Sequence, residues 1–190
     1  MRIVGGRHRG RRLVAPEGDA VRPTSDRARE ALFNILSHGD FAAAGSPFAG
    51  ANVVDAFAGT GALGLEALSR GAARAAFIEI DRSALSALRR NLSALDEEDA
   101  ADVINGDATR PPRAPYACTA AFLDPPYRSG LAEPALAALA AAGWLAPAAL
   151  AIVEIAAKEP FSPPAGFAMI DGRVYGAARL VFLRREGRTR

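Results

Sequence analysis

Cysteine, histidine, lysine and tryptophan are nearly missing from this chain. The single cysteine, Cys118, permits no internal disulfide and no cysteine metal site. It sits in an apolar run and reads as a small core residue. His8 and His38 lie in unrelated segments without ligand spacing, so no metal centre is expected. No apolar run reaches about 18 residues without a charge or a Pro or Gly break, so no spanning helix is expected. The N-terminus is basic but no apolar segment follows it, which argues against a signal peptide. These absences suit a cytoplasmic protein with no membrane partner, expected to act as a monomer. Lys158 is the sole lysine, so arginine carries almost all the positive charge.

What is present is a large apolar fraction and an uneven charge. The 190 residues are 50% hydrophobic, enough for one domain with a substantial core. Residues 1–29 hold eight arginines against Glu17, Asp19 and Asp26, a net of +5, while the remainder is net −3. A basic end of this kind points to an anionic partner such as nucleic acid. The competing reading is a solvated tail. Arg2-Ile3-Val4 and Arg11-Arg12-Leu13-Val14 flank Gly5-Gly6 and Gly10, which reads as a small hairpin with arginines outside. If its strands extend far enough, alternation puts Arg7, Arg9 and Arg11 on one face. Residues 1–23 are thus a basic hairpin and connector attached to a single domain.

Thr24 or Ser25 can cap a helix running to about Leu36. Strands and helices then alternate: strand 52–57, helix 61–70, strand 75–80, helix 82–95, strand 101–105, strand 119–124, helix 130–142, strand 149–155. Val174 to Leu183 reads as a terminal strand or hairpin. The Ala-rich stretch 132–149 favours helix. The alternation predicts an α/β fold, a parallel sheet with helices on both faces.

Gly59, Gly61 and Gly64 in Ala58-Gly59-Thr60-Gly61-Ala62-Leu63-Gly64 have G-x-G-x-x-G spacing in a strand–turn–helix context. Glu79 and Asp81 end the next strand, where a carboxylate can accept both hydroxyls of a ribose. The pattern fits a dinucleotide or S-adenosylmethionine equally. Asp124-Pro125-Pro126-Tyr127 then follows the apolar run Cys118 to Leu123. Two prolines remove two N–H donors and leave their carbonyls as acceptors. With a carboxylate before and a ring after, the cluster suits a planar amine. A plain turn is the ordinary alternative, since Pro-Pro breaks strands. Together the two motifs favour S-adenosylmethionine and methyl transfer to a base nitrogen. Gly59, Glu79, Asp107 and Asp124 each follow a strand, so all four are expected to line one crevice.

Four blocks carry a family resemblance: Ile3-Val4-Gly5-Gly6, Arg22-Pro23-Thr24-Ser25-Asp26-Arg27 with Arg29-Glu30, Phe57 through Gly71, and Asp124-Pro125-Pro126-Tyr127. In this order they resemble the RsmD family of bacterial 16S ribosomal RNA guanine-N2 methyltransferases. The match runs from Arg2 to about Arg184. The Arg-Pro-Thr-x-Asp-Arg block discriminates; the other two motifs occur in many class I methyltransferases. The resemblance implies a class I, Rossmann-like methyltransferase fold, with seven strands and one antiparallel strand near the edge. It implies S-adenosylmethionine as cofactor and, as partner, 16S ribosomal RNA or an assembling small subunit. By this resemblance Ala58 to Gly61 hold the methionine part of the donor, Glu79 the ribose and Asp107 the adenine. Asp55, Phe57, Ile80 and Ala108 complete that cofactor set. Asp124, Pro125, Pro126 and Tyr127 hold the target base. Arg22, Thr24 and Asp26 lie beside it, and Arg7, Arg9, Arg11 and Arg12 meet RNA. The acidic loop 96–102 is expected to face solvent away from RNA.

Three rivals differ in testable ways. A DNA adenine methyltransferase, or another Pro-Pro-Tyr amino methyltransferase, would prefer another acceptor. An NAD-dependent oxidoreductase needs a proton relay, for which no His or Tyr-x-x-x-Lys candidate exists. A non-catalytic RNA-binding module has no use for the intact Asp124 and glycine loop.

Overall fold

The computed structural model describes residues 1–16, 26–38, 41 and 46–187, with Asp26, Arg27 and Ala28 in main chain only. Arg22, Thr24 and the expected cap Ser25 therefore lie outside the described residues.

After helix α1 (Asp26–Leu36), the chain builds one seven-stranded sheet. Its elements are β1 (Asn52–Ala56), α2 (Ala62–Ser69), β2 (Arg74–Glu79), α3 (Arg82–Ala94), β3 (Ala101–Asn105), β4 (Cys118–Leu123), α4 (Ala132–Ala141), β5 (Leu145–Ala156), β6 (Phe167–Tyr175) and β7 (Ala178–Arg185). The strand order is β3-β2-β1-β4-β5-β7-β6. Strands β3 to β5 pair in parallel, whereas β7 runs antiparallel to both neighbours. This is the α/β, class I Rossmann-like sheet that the alternation and the resemblance imply.

The parallel strands are buried on both faces, so alternate residues feed two cores. Val53, Phe77, Phe122 and Ile152 pack with α1, α2 and α3. Val54, Ile78, Leu123 and Val153 pack with α4 and the fully buried Trp144. The Trp144 indole N–H donates to the Pro112 carbonyl at 2.8 Å, satisfying its one polar group.

Two expectations need correction. The helix ends as expected, but the strand after it starts at Leu145, four residues before the expected 149, within the Ala-rich stretch. Gly143, at φ 86°, stops the helix, and Leu145 pairs with Cys118 as the start of β5. Sheet pairing overrides alanine's helix preference there. The terminal segment is also longer than Val174 to Leu183: it is the hairpin β6–β7, turned at Gly176 with φ 59°.

The N-terminal arm is shorter in strand and firmer in seating than expected. Arg2 and Arg12 form an isolated antiparallel bridge, and residues 5–10 bend and turn. No strand reaches Arg7, so alternation does not align Arg7, Arg9 and Arg11. The arm is instead bound to the domain. Ile3 is fully buried, Leu13 is 6% exposed, and the Arg7 N–H donates to the Ser69 carbonyl at 2.8 Å.

Candidate active site

The register explains why the site forms where it does. Ala56 of β1 lies level with Ile78 of β2 and Leu123 of β4. The residues that follow these three therefore emerge at one edge of the sheet. That edge is the carboxyl end at the β1/β4 switch point, where open α/β sheets bind ligands.

The glycine loop leaves β1 under constraint. Phe57 sits at φ 63°, a left-handed backbone that an aromatic residue seldom adopts. Gly61 caps α2 at φ 81°, which glycine accepts without cost. Gly64 is required for a different reason. A Cβ there would lie 2.3 Å from Phe77 Cε1, so only glycine lets α2 pack this closely on β2.

Three polar side chains hold the loop in place. Asp55, 1% exposed, accepts the Gly64 N–H at 2.8 Å. Burial holds its carboxyl well above the usual carboxylate range; the Gly64 bond opposes this, and the charges of Asp124 and Glu79 add to it. Asn91 of α3, 1% exposed, donates to the carbonyls of Thr60 and Val14, each at 3.0 Å. It thereby ties the arm to the loop. Glu79 accepts from Gly59 N at 2.7 Å and from Ile80 N and Asp81 N at 2.8 Å each. Sequence reasoning missed Asn91, because an asparagine on an amphipathic helix carries no distinctive signal.

Glu79 and Asp81 have different surroundings. Asp81 is the N-cap of α3 and accepts the Ala84 N–H at 2.8 Å. The Ser83 hydroxyl, then the Ala84 bond, hold its carboxyl below the usual range. Asp81 is thus engaged at the helix start, and Glu79 faces the glycine loop. Ile80 between them is 66% exposed, an apolar surface at the rim of the crevice. Asp107 follows β3. Its Oδ1 accepts both the N–H and the hydroxyl of Thr109 at 2.8 Å, which hold its carboxyl low. Ala108 beside it is buried.

Across the switch point, Asp124 follows β4 and is close enough for its charge to act on Asp55. Pro125 is buried and Pro126 exposed. Tyr127 is 37% exposed, and its hydroxyl donates to Glu154 Oε1 at 2.7 Å. Glu154 was not anticipated. Its signal was present: a lone acid within the apolar run Ala151-Ile152-Val153-Glu154-Ile155.

The structure thus brings Phe57 to Gly61, Glu79, Asp107 and Asp124 to Tyr127 to one edge of the sheet. The arm arginines sit elsewhere, on the far ends of α2 and α3. Arg7 and His8 both contact Glu97, with Arg7 Nε at 2.9 Å and His8 Nε2 at 2.6 Å from Oε1. Glu97 is only 4% exposed, so the expectation that loop 96–102 simply faces solvent fails at this residue. Burial within an acidic run is tolerated because two nitrogen-bearing side chains meet it there. Arg11 bonds the Ala94 carbonyl. Arg9 and Arg12 remain exposed. Among the described residues no group of three or more His, Cys, Asp or Glu is placed to hold a metal. No described helix is long and apolar enough to cross a membrane.

The chain is similar to known proteins over nearly its whole length. The family model described as "Conserved hypothetical protein 95" matches residues 1–184. The chain is 39% identical over 190 residues to ribosomal RNA small subunit methyltransferase D of Escherichia coli K12, covering 98% of this chain and 90% of that protein. It is 35% identical over 181 residues to the Haemophilus influenzae protein of the same name, covering 93% and 89%. The solved structure of the putative methyltransferase yhhF from Escherichia coli superposes with a TM-score of 0.81 at 39% identity, covering 98% of each chain.

Proposed function

The chain belongs to the Conserved hypothetical protein 95 family, that of the small-subunit methyltransferases D, and we propose that it methylates the exocyclic N2 of a guanine in 16S ribosomal RNA. It is an S-adenosylmethionine-dependent ribosomal RNA methyltransferase of class I fold. One observation carries the reading of its site: Asp124-Pro125-Pro126-Tyr127 stands beside the glycine loop across the β1/β4 switch point.

The donor supplies a methyl group on a positively charged sulfonium. The residues present fit it. Gly59 to Gly61 offer a close backbone approach, Glu79 a carboxylate for the ribose, Ile80 an exposed apolar surface and Asp107 an acceptor for the adenine amine. On the acceptor side, Asp124 and the Pro125 carbonyl accept the N–H groups of the guanine amine. That amine is a poor nucleophile because its lone pair is conjugated. Acceptors on its hydrogens favour the tetrahedral nitrogen of the transition state and stabilise the developing positive charge. The rest of the rate comes from placement in line with the methyl group. A base in folded RNA must be splayed out to reach this edge.

The arm provides the natural RNA contact. Arg9 and Arg12 are exposed on a seat fixed by Glu66, Ser69 and Glu97, while Arg7 and Arg11 combine an internal bond with a surface position. The enzyme acts as a cytoplasmic monomer on RNA or on the assembling subunit.

The test uses RNA and small subunits from cells lacking the enzyme, with labelled donor and nucleoside analysis of the product. N2-methylguanosine is expected, with an acceptor KM that rises with salt as phosphate contacts weaken. Methylated adenine in DNA, or no salt dependence, would refute the acceptor or the arm respectively. For the donor site, Glu79→Ala is expected to weaken donor binding by about 1.5–3 kcal/mol, the usual worth of hydrogen bonds to a charged group. Asp81→Ala is expected to loosen the start of α3 and leave the donor Kd near wild type. Calorimetry showing the reverse pattern would move the ribose site to Asp81.

A further inference from the structure

We infer that Glu154 is a positioning residue of the acceptor pocket, holding the Tyr127 ring as a fixed wall for the incoming base. The inference rests on the reading of Asp124 to Tyr127 as that pocket, and it concerns a residue on a different strand. Leu123 of β4 is level with Val153 of β5, so Glu154 sits one step further along, beside Asp124 in the sheet. Residues 120, 122, 150 and 152 face the α1/α2 core, and the period of two puts Asp124 and Glu154 on that same side. Glu154 is 8% exposed and paired in register with Leu180 of β7. An ionisable group so buried needs a partner. The Tyr127 hydroxyl supplies it at 2.7 Å. Burial pushes the Glu154 carboxyl up, and the Tyr127 bond pulls it back.

The consequence falls on Tyr127. Two prolines fix the chain before it, but Arg128 just after it is at φ 59° in a turn. The ring is more than a third exposed. The far end of the ring is held where the hydroxyl meets Glu154. An apolar residue at position 154 would remove that acceptor and loosen the far end of the ring. Displacing a wall of the pocket by about an ångström is enough to slow an in-line transfer by one to two orders of magnitude.

The test compares Tyr127→Phe, Glu154→Ala, Glu154→Gln and the double variant Y127F/E154A in the full chain, using unmethylated small-subunit RNA as acceptor. Donor Kd is measured by calorimetry alongside kcat and acceptor KM. Tyr127→Phe and Glu154→Ala are each expected to lower kcat/KM for RNA about ten-fold, with donor Kd unchanged. The double variant is expected to be no worse than Glu154→Ala alone. Glu154→Gln, whose amide oxygen still accepts from the tyrosine, is expected to recover most of the loss. Multiplicative losses in the double variant, or a Gln variant as poor as Ala, would overturn the inference. Should Glu154→Ala not fold, the Phe and Gln variants decide it, and wild-type kinetics for Tyr127→Phe would overturn it. Tyr127→Ala keeps the two readings apart: full activity there refutes the pocket itself, whatever Glu154 does.

Discussion

Asp124→Ala is expected to lower kcat roughly 100- to 1,000-fold, the usual cost of removing one group that stabilises charge developing in a transition state. Donor affinity should change little. Asp124 follows β4, whereas the proposed donor contacts come from the loop after β1 and from Glu79 at the end of β2. One indirect effect has a definite sign. The Asp124 charge helps to hold the Asp55 carboxyl high, so its removal lets Asp55 ionise more easily. Because the folded value of Asp55 lies above the ordinary one, its contribution to stability is greatest in acid and is lost as pH rises through that folded value. At Asp55 the Asp124→Ala change therefore relieves destabilisation toward neutral pH, and a melting curve taken beside the kinetics separates catalytic loss from unfolding. Activity within a few-fold of wild type in a folded variant would remove Asp124 from the chemistry.

The sheet and the crevice were legible because their signals are local. The glycine spacing, the apolar runs and Asp124-Pro125-Pro126-Tyr127 each declare themselves within about seven residues. The parallel sheet followed from the alternation of strands and helices; the strand order came only with the structure. What the sequence hid is long-range. Val4 meets Glu66, Arg7 meets Glu97 and Val14 meets Asn91, pairs separated by 62, 90 and 77 residues. Nothing near Glu97 distinguishes it from its solvated neighbours Glu98 and Asp99. Glu154 announced itself as a lone charge in an apolar strand, but not its partner Tyr127. The start of β6 was hidden for another reason: Asp171 and Gly172 favour turns, and edge pairing with β7 overrides them.

Glu66 shows how much the arm depends on such a distant contact. It is fully buried on α2 and accepts Arg70 Nε and Val4 N at 2.8 Å each. The guanidinium of Arg29, also fully buried, has its Nε 3.9 Å from Oε2, the oxygen that accepts Val4 N, and bonds the Arg2 carbonyl. One carboxylate thus joins α1, α2 and the arm. Glu66→Ala would withdraw the negative charge facing a buried guanidinium and leave the Val4 N–H without its acceptor. Breaking a buried pair in this way typically costs about 3–5 kcal/mol. For a chain of this size that corresponds to a fall in Tm of roughly 6–20 °C. Glu66→Gln keeps an acceptor for Val4 and removes only the charge, so its Tm should fall between the two. Trypsin should also cut the arm at Arg7 to Arg12 sooner in the alanine variant, because Ile3 and Leu13 leave the core once their anchor is gone. A Tm within about 2 °C of wild type would mean that Ser69, Asn91 and Glu97 seat the arm without Glu66.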